Sequence, residues 1–229
     1  MTVNVVVAGS ARGIGFELAK QLSSKPNHVV HTVDRYLSTE LEDLIKTSKN
    51  VHFSLADITD IDQLQNASGL VPHVDLLLCV AGVLGCRESL LGRPASEEEP
   101  AADIMNVFRV NLLGTWNVIA AYQEKLARGA KVMLMSSTRA SLQRADSDGD
   151  PAYSIAKAGL NMLGRKLAVG LSDRGIDVIM MSPGVVKTEM NGWEGEITPE
   201  ESVNGILQQL AKDGTSGMFL RYNGEIVPW

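Results

Sequence analysis

The sequence predicts an α/β fold, a doubly wound parallel β-sheet of about seven strands with helices on both faces. Three observations predict it. Short β-branched runs alternate with amphipathic helical stretches along the whole chain. The strand runs are apolar at consecutive positions, as in strands covered on both faces. No linker, repeat or low-complexity segment divides the 229 residues, a length that one hydrophobic core still serves.

The elements follow in order. Val3–Ala8 is a buried strand ending at Gly9. Ile14, Phe16, Leu18, Ala19 and Leu22 mark a helix stopped near Pro26. His28–Val33 is a second strand, Leu41, Leu44 and Ile45 a helical face, and Val51–Leu55 a third strand. A short helix over Ile61–Leu64 takes Thr59 or Asp60 as its cap. Val74–Val80 is a strand running into Ala81-Gly82, and Val83–Pro100 is a loop or excursion. One long helix is expected from about Ala101 to Leu126, then a strand over Lys131–Met135. Ser136–Asp150 is polar and irregular; Pro151 opens a helix to about Asp173. Ile176–Met181 is a strand closed by Ser182-Pro183-Gly184. Thr198-Pro199-Glu200-Glu201 starts a last helix through Leu210, and Gly217–Trp229 reads as a closing strand with a cover over the sheet edge.

Composition narrows the function. Apolar residues make up 45%, and the net charge of −6 comes from interspersed acids and bases. No basic block offers to neutralise phosphates, so no nucleic-acid partner is expected. No apolar run reaches the ~18 residues of a membrane span. The N-terminus reads as a strand at once rather than as a signal peptide, so a cytoplasmic protein is expected. Cys79 and Cys86 have no metal-ligand spacing and read as reduced thiols, with a disulfide as the alternative. His28, His31, His52 and His73 are scattered over strand starts and edges, and no metal site is expected.

Gly9-Ser10-Ala11-Arg12-Gly13-Ile14-Gly15 lies between a strand and a helix, the context that makes glycine spacing informative. Gly9 permits the tight turn, Gly13 lets backbone approach a pyrophosphate, and Gly15 lets helix and strand pack closely. The helix N-terminus attracts the anion. Asp34 ends the second strand, where a carboxylate accepts from a ribose 2′-hydroxyl and repels a 2′-phosphate. This favours NAD(H). Arg12 and Arg35 are either solvated or phosphate partners, which leaves NADP(H) open.

Tyr153 and Lys157, four residues apart, share one helix face. A phenol titrates near 10 and needs help to act as a base near neutral pH. Moving it two to three units takes roughly 3–4 kcal/mol. One cation at ~4 Å with an effective dielectric of ~20 supplies about that much.

With these motifs in place, the chain resembles the short-chain dehydrogenase/reductase family over its whole length. The glycine turn, Asp57, Ala81-Gly82, Asn111, Ser137, Tyr153/Lys157 and Pro183-Gly184 stand in the family's order. Leu160-Asn161-Met162-Leu163, Thr198–Val203 and Tyr222–Trp229 are similar to the C-factor and sniffer-type carbonyl reductase branch. The resemblance implies a single NAD(P)-binding Rossmann domain over residues 1–229, with a substrate lid around 185–200. It implies hydride transfer between a carbonyl and a secondary alcohol. Tyr153 then serves as acid/base, while Lys157 lowers its pKa and holds the nicotinamide ribose. Ser137 bonds the substrate oxygen, and Asn111 holds a water in a proton relay through Lys157. Asp57 and Ile58 lie at the adenine, Ala81 and Gly82 along the cofactor, and Pro183, Gly184, Val186 and Thr188 at the nicotinamide end. Met190 and Trp193 are candidates for the substrate wall, and Trp116 belongs to the core or an interface. The partner is a small carbonyl or alcohol. A homodimer or homotetramer is expected, built on the helices starting near Ala101 and Pro151.

Three features depart from the family's pattern. Cys79-Val80 stand where two asparagines usually precede Ala-Gly, so packing there must differ. The interval from Ser137 to Tyr153 is a few residues longer than usual, with the insert around Arg144–Asp150 at the substrate mouth. Sniffer-type reductases usually favour NADPH, against the indication of Asp34. A second functional class is a cofactor-binding regulator of the same fold with little turnover. The intact Ser137/Tyr153/Lys157 set speaks against it. An extended epimerase needs a C-terminal substrate domain for which too few residues follow Val186.

Overall fold

The computed structural model describes residues 2–85 and 99–229, without the side chains of residues 99 and 100. Seven strands form one sheet: β1 (Val3–Ala8), β2 (His28–Asp34), β3 (Val51–Leu55), β4 (Val74–Cys79), β5 (Leu126–Met135), β6 (Asp177–Ser182) and β7 (Phe219–Arg221). The order is β3-β2-β1-β4-β5-β6-β7, and every pairing is parallel. This is a Rossmann-like single domain. Its strand order reverses at β1/β4, and a crevice opens there at the carboxyl ends of the strands.

Alternation along β1 divides the core. Val5 and Val7 pack with Leu18 and Leu22 of α1 (Gly13–Ser23) and with Val203 and Ile206 of α7 (Pro199–Leu210). Leu44 and Ile45 of α2 (Thr39–Thr47) border the same cluster. Val6 and Ala8 point to the opposite face. There they meet Leu64 of α3 (Ile61–Gly69), Tyr122 of α5 (Thr115–Tyr122) and Leu160 of α6 (Pro151–Gly170). Asp60, not Thr59, caps α3, its carboxylate accepting from Asp62 N and Gln63 N.

The expected single helix over 101–126 is broken. α4 (Glu99–Phe108) passes into a wide π-helical turn at Arg109–Gly114 before α5, and the helical path ends in a short turn at Gln123–Lys125. Leu126 keeps helical spacing from Tyr122, yet it begins β5, paired with Val74 ahead of a register shift to Leu76↔Lys131. Spacing alone cannot separate a buried helical residue from a buried strand residue. The break coincides with Asn111, whose side chain is drawn out of the helix by the Val83 backbone. Trp116 on α5 is 57% exposed, so it is not a core residue of this chain.

At the substituted family position, Cys79 is buried and its thiol is free. Burial pushes this thiol up to about 12. Backbone bonds from Val80 N and Ala81 N to Ala8 O, 2.8 and 3.0 Å, tie the β1 and β4 ends together. Cys86 and most of the expected 83–100 excursion lie outside the described residues. Three of the histidines meet at the start of the sheet. His31 and His52 stack at 5.4 Å, and Asn4 bridges His31 to His73. No described helix is long and apolar enough to cross a membrane. Among the described residues, no cluster of three or more His, Cys, Asp or Glu side chains suits a metal ion.

Candidate active site

The glycine turn stands at the mouth of the crevice. Gly9 takes φ +94°, and a Cβ there would lie 2.4 Å from Ala81 N, so only glycine fits between β1 and β4. A Cβ on Gly15 would lie 1.7 Å from Gly9 O, which explains the close seating of α1 on β1. α1 has no side-chain cap and no acid in its first turn. Its first N–H groups thus stay available to an external anion. Ser10 is fully buried, its hydroxyl directed at Val33 O.

The ends of β2 and β3 bring charges to this turn. Asp34 accepts from Ala11 N and from Arg35 N, both at 2.8 Å, so its carboxylate is fixed beside the turn with acceptor capacity remaining. Asp57 accepts from the Thr59 amide and hydroxyl, both at 2.8 Å. Burial pushes the Asp57 carboxyl up. The Thr59 bonds and the charges of Arg35 and Arg109 outweigh this and hold it below the usual range. Ile58 is buried against Gly114, and its carbonyl accepts from Asn117.

Deeper in the crevice, β5 ends at Ser136-Ser137. The Ser136 hydroxyl bonds Asn161 Oδ1 at 2.6 Å, anchoring this strand end to α6. Ser137 caps a short 3₁₀ turn at Thr138–Ala140 and accepts from Arg139 N. Its side chain also acts on the Tyr153 phenol of α6, drawing it down. One turn further along α6, Lys157 is buried, and its Nζ donates to Met135 O at 2.7 Å. A methyl group on Gly82 would lie 3.0 Å from Asn111 Oδ1 and 3.5 Å from Lys157 Nζ, so these three residues converge. Asn111 exchanges two 2.8 Å bonds with the Val83 backbone. The π-turn supplies the register that lets a helical side chain clamp a strand-end segment.

The electrostatics differ from the expectation that Lys157 by itself lowers Tyr153. Lys157 Nζ lies 5.6 Å from the Tyr153 ring centre and is directed to the Met135 carbonyl. Burial dominates the phenol and pushes it above its ordinary value, while the Ser137 side chain and the charge of Arg139 oppose this. Burial also lowers Lys157 to about 8. Arg139, paired with the buried Asp150 at the start of α6, was not singled out from the sequence. Its place two residues past Ser137 was the available signal.

The segment after β6 folds into a compact loop. The Ser202 hydroxyl bonds Pro183 O, and Gly184 packs under Tyr222 and Ile197. Val186 is buried and bridges Ile197. Thr188 and Asn191 cap each other around a 3₁₀ turn, and Trp193 N closes on Thr188 O at 2.8 Å. This loop meets the glycine turn twice. Thr188 Cγ2 would lie 3.4 Å from a Cβ on Gly13, and Glu189 pairs with Arg12 at 2.6 Å. Met190 and Trp193 are exposed, Trp193 at 67%. The start of the inserted 144–150 stretch is held by the chain's last residues: Gln143 N bonds Trp229 O, and Arg144 pairs with Glu225 at 2.5 Å.

A family model for the short chain dehydrogenases matches residues 3–197. The chain belongs to the short-chain dehydrogenase family. Its sequence is 30% identical to an uncharacterized oxidoreductase of Schizosaccharomyces pombe, over 97% of this chain and 96% of that one. It is 33% identical to the C-signal protein of Myxococcus xanthus, over 68% of this chain and 93% of that protein. The fold matches the carbonyl reductase Sniffer of D. melanogaster with a TM-score of 0.90 at 23% identity, covering both chains completely. It also matches an NADPH-bound carbonyl reductase from chicken fatty liver, with a TM-score of 0.87 at 26% identity and full coverage of both. As a short-chain dehydrogenase, the chain is an oxidoreductase. Its glycine turn, Ser137 and Tyr153/Lys157 all lie within the matched residues.

Proposed function

We propose that this short-chain dehydrogenase uses NAD(P) to interconvert a carbonyl and a secondary alcohol, with Tyr153 as the acid/base. The observation that carries this reading is the convergence of Tyr153 and the buried Lys157 in the crevice below the glycine turn: Lys157 Nζ lies 5.6 Å from the Tyr153 ring centre and beside Gly82 and Asn111, and Ser137 acts on the same phenol. The chain's own geometry fits a dinucleotide. The uncapped α1 N-terminus and Gly13 at φ +56° suit a pyrophosphate. Ser10, Arg12, Ile14, Gly9 and Gly15 complete that turn, and Ala81 and Gly82 continue the floor toward Lys157. Asp57 and Ile58 border the adenine end; Pro183, Gly184, Val186 and Thr188 border the nicotinamide end. When bound, the nicotinamide supplies or accepts the hydride.

The protein's part is to position and to move a proton. Ser137 accepts from Arg139 N, which leaves its own hydrogen for the substrate oxygen as negative charge builds. Tyr153 delivers the proton to that oxygen in reduction and removes it in oxidation. Arg139 draws the phenol down against burial, and the Ser137 hydroxyl does the same until its hydrogen turns to the substrate oxygen. Lys157 holds the ribose and, with a water on Asn111, refills Tyr153 from solvent. The segment around 185–200 is the lid in this reading, and Met190 and Trp193 are the exposed apolar side chains it would bring to a substrate.

Asp34 supports NAD as the preferred cofactor, although the chicken-liver relative carries NADPH. A homo-oligomer is supported by the exposed apolar groove of about 610 Å³ along α4 and α5, lined by Met105, Phe108, Leu113 and Trp116. A signalling protein of the same fold is the second reading, favoured by the identity to C-signal. Incubating the protein with a panel of aldehydes and ketones plus NADH or NADPH tests the first. Carbonyl-dependent cofactor oxidation is expected; tight cofactor binding without turnover of any carbonyl favours the second.

A further inference from the structure

Arg12 and Arg35 stand beside Asp34 near the glycine turn, and Arg12 is already paired with a carboxylate from another segment. Arg35 adds its charge at Asp57 without an ion pair among the described residues. Arg12 pairs with Glu189, which comes from the loop after β6 and lies 177 residues away in the sequence, 189 minus 12. The guanidinium of Arg12 also feels Asp34 and Tyr36, so it stands where β2 ends beside the glycine turn. Its backbone is held there. Ala11 N bonds Asp34, and the Ser38 hydroxyl bonds Ala11 O at 2.5 Å. Glu189 is held equally well by the reciprocal Thr188/Asn191 cap, with Thr188 seated over Gly13.

The charge balance follows from these contacts. Arg12, Arg35 and Arg109 face Asp34, Asp57 and Glu189, three cations against three carboxylates. A 2′-phosphate needs an unengaged arginine near the ribose. Among the described residues, Arg12 is the one of these three arginines held in an ion pair, and Glu189 holds it.

Resting on the NAD(P) reading above, we propose that Glu189 is a cofactor-specificity residue: by pairing with Arg12 it withholds the cation that would receive a 2′-phosphate, and so selects the cofactor with a free 2′-hydroxyl. Binding of the phosphorylated cofactor then has to part Arg12 from Glu189 and release the loop from the glycine turn. The unphosphorylated cofactor leaves that clasp made. Selection for NAD therefore has two sources, Asp34 on the turn side and Glu189 on the loop side.

The test measures dissociation constants of NADH and NADPH by fluorescence titration for the unchanged protein, Glu189→Gln, Glu189→Asp and the double variant Arg12→Leu/Glu189→Gln. Both groups of the pair are about half exposed, so the expected effect is modest. Glu189→Gln is expected to tighten NADPH about 5-fold, in line with an exposed ion pair, with NADH held within about 2-fold. Glu189→Asp keeps the charge and should stay near the unchanged protein. The double variant should lose the NADPH gain. An unchanged NADPH/NADH ratio in Glu189→Gln, or parallel weakening of both cofactors, overturns the proposal and leaves Glu189 as a loop clasp only. An unchanged protein that already prefers NADPH also overturns it. An unchanged protein that binds neither cofactor removes the NAD(P) reading itself, a result distinct from the others.

Discussion

The two ends of the crevice are built on different physics. At the Tyr153 end, Lys157 is sealed from solvent, Asn111 is fully buried, and the hydroxyl of Ser136 is satisfied by a buried amide. At the Arg12 end, the charged side chains stand half in water and pair across loops. A low local dielectric strengthens each polar contact at the first end, whereas solvent screens those at the second. In the proposed function the first end carries chemistry, where single groups are expected to matter by orders of magnitude. The second carries selection, where they are expected to matter by small factors.

Removing the buried cation produces the largest contrast. Lys157→Met is expected to lower kcat by about 10³-fold, within the range for a group serving proton transfer. The same change should stabilise the fold by about 2 kcal/mol near neutral pH, since a buried charge is removed and one bond to Met135 O is lost. The sign follows from the depressed pKa. In the unfolded chain the lysine stays charged up to its ordinary 10.5, and in the fold only up to about 8. The stability of the unchanged protein should climb between those pH values, and the variant should lack that climb. Thermal melts from pH 7 to 10.5 check it; identical slopes for the two proteins would remove burial as the cause.

Ser137→Ala comes next. Losing one donor to the developing oxyanion should cost about 10²-fold in kcat, with KM for the cofactor nearly unchanged. Steady-state kinetics separate the two constants, and an effect confined to KM would reassign Ser137 to substrate binding. At the exposed end, Asp34→Ala should shift the NADPH/NADH ratio of kcat/KM by about 10-fold toward NADPH. A ratio that does not move would place cofactor selection elsewhere.

The same contrast governs how much could be read from the sequence. β1, β3 and the glycine turn were legible to the residue because local pattern alone fixes them: β-branched runs, then glycines that a Cβ would drive into Ala81 or Gly9. Tyr153 and Lys157 were legible as a pair because four residues make one helical turn. The π-turn at Arg109–Gly114 was not, since it depends on Asn111 reaching the Val83 backbone 28 positions away. Nor was the Arg12–Glu189 pair, which exists only once β6 lies two strands from β4 and its following loop turns back over α1. The environment of the phenol is hidden in the sequence for a related reason: the four-residue spacing shows the cation but not the burial, which acts on both partners.

The central claim is that the Tyr153 hydroxyl carries the proton of the carbonyl/alcohol reaction. The direct test is Tyr153→Phe, measured on a carbonyl that the unchanged protein reduces, alongside a cofactor titration of the same preparation. The account predicts a loss of about 10³-fold or more in kcat, with the cofactor dissociation constant within about 2-fold. A variant that reduces the carbonyl within a few-fold of the unchanged rate, while binding cofactor equally well, contradicts it.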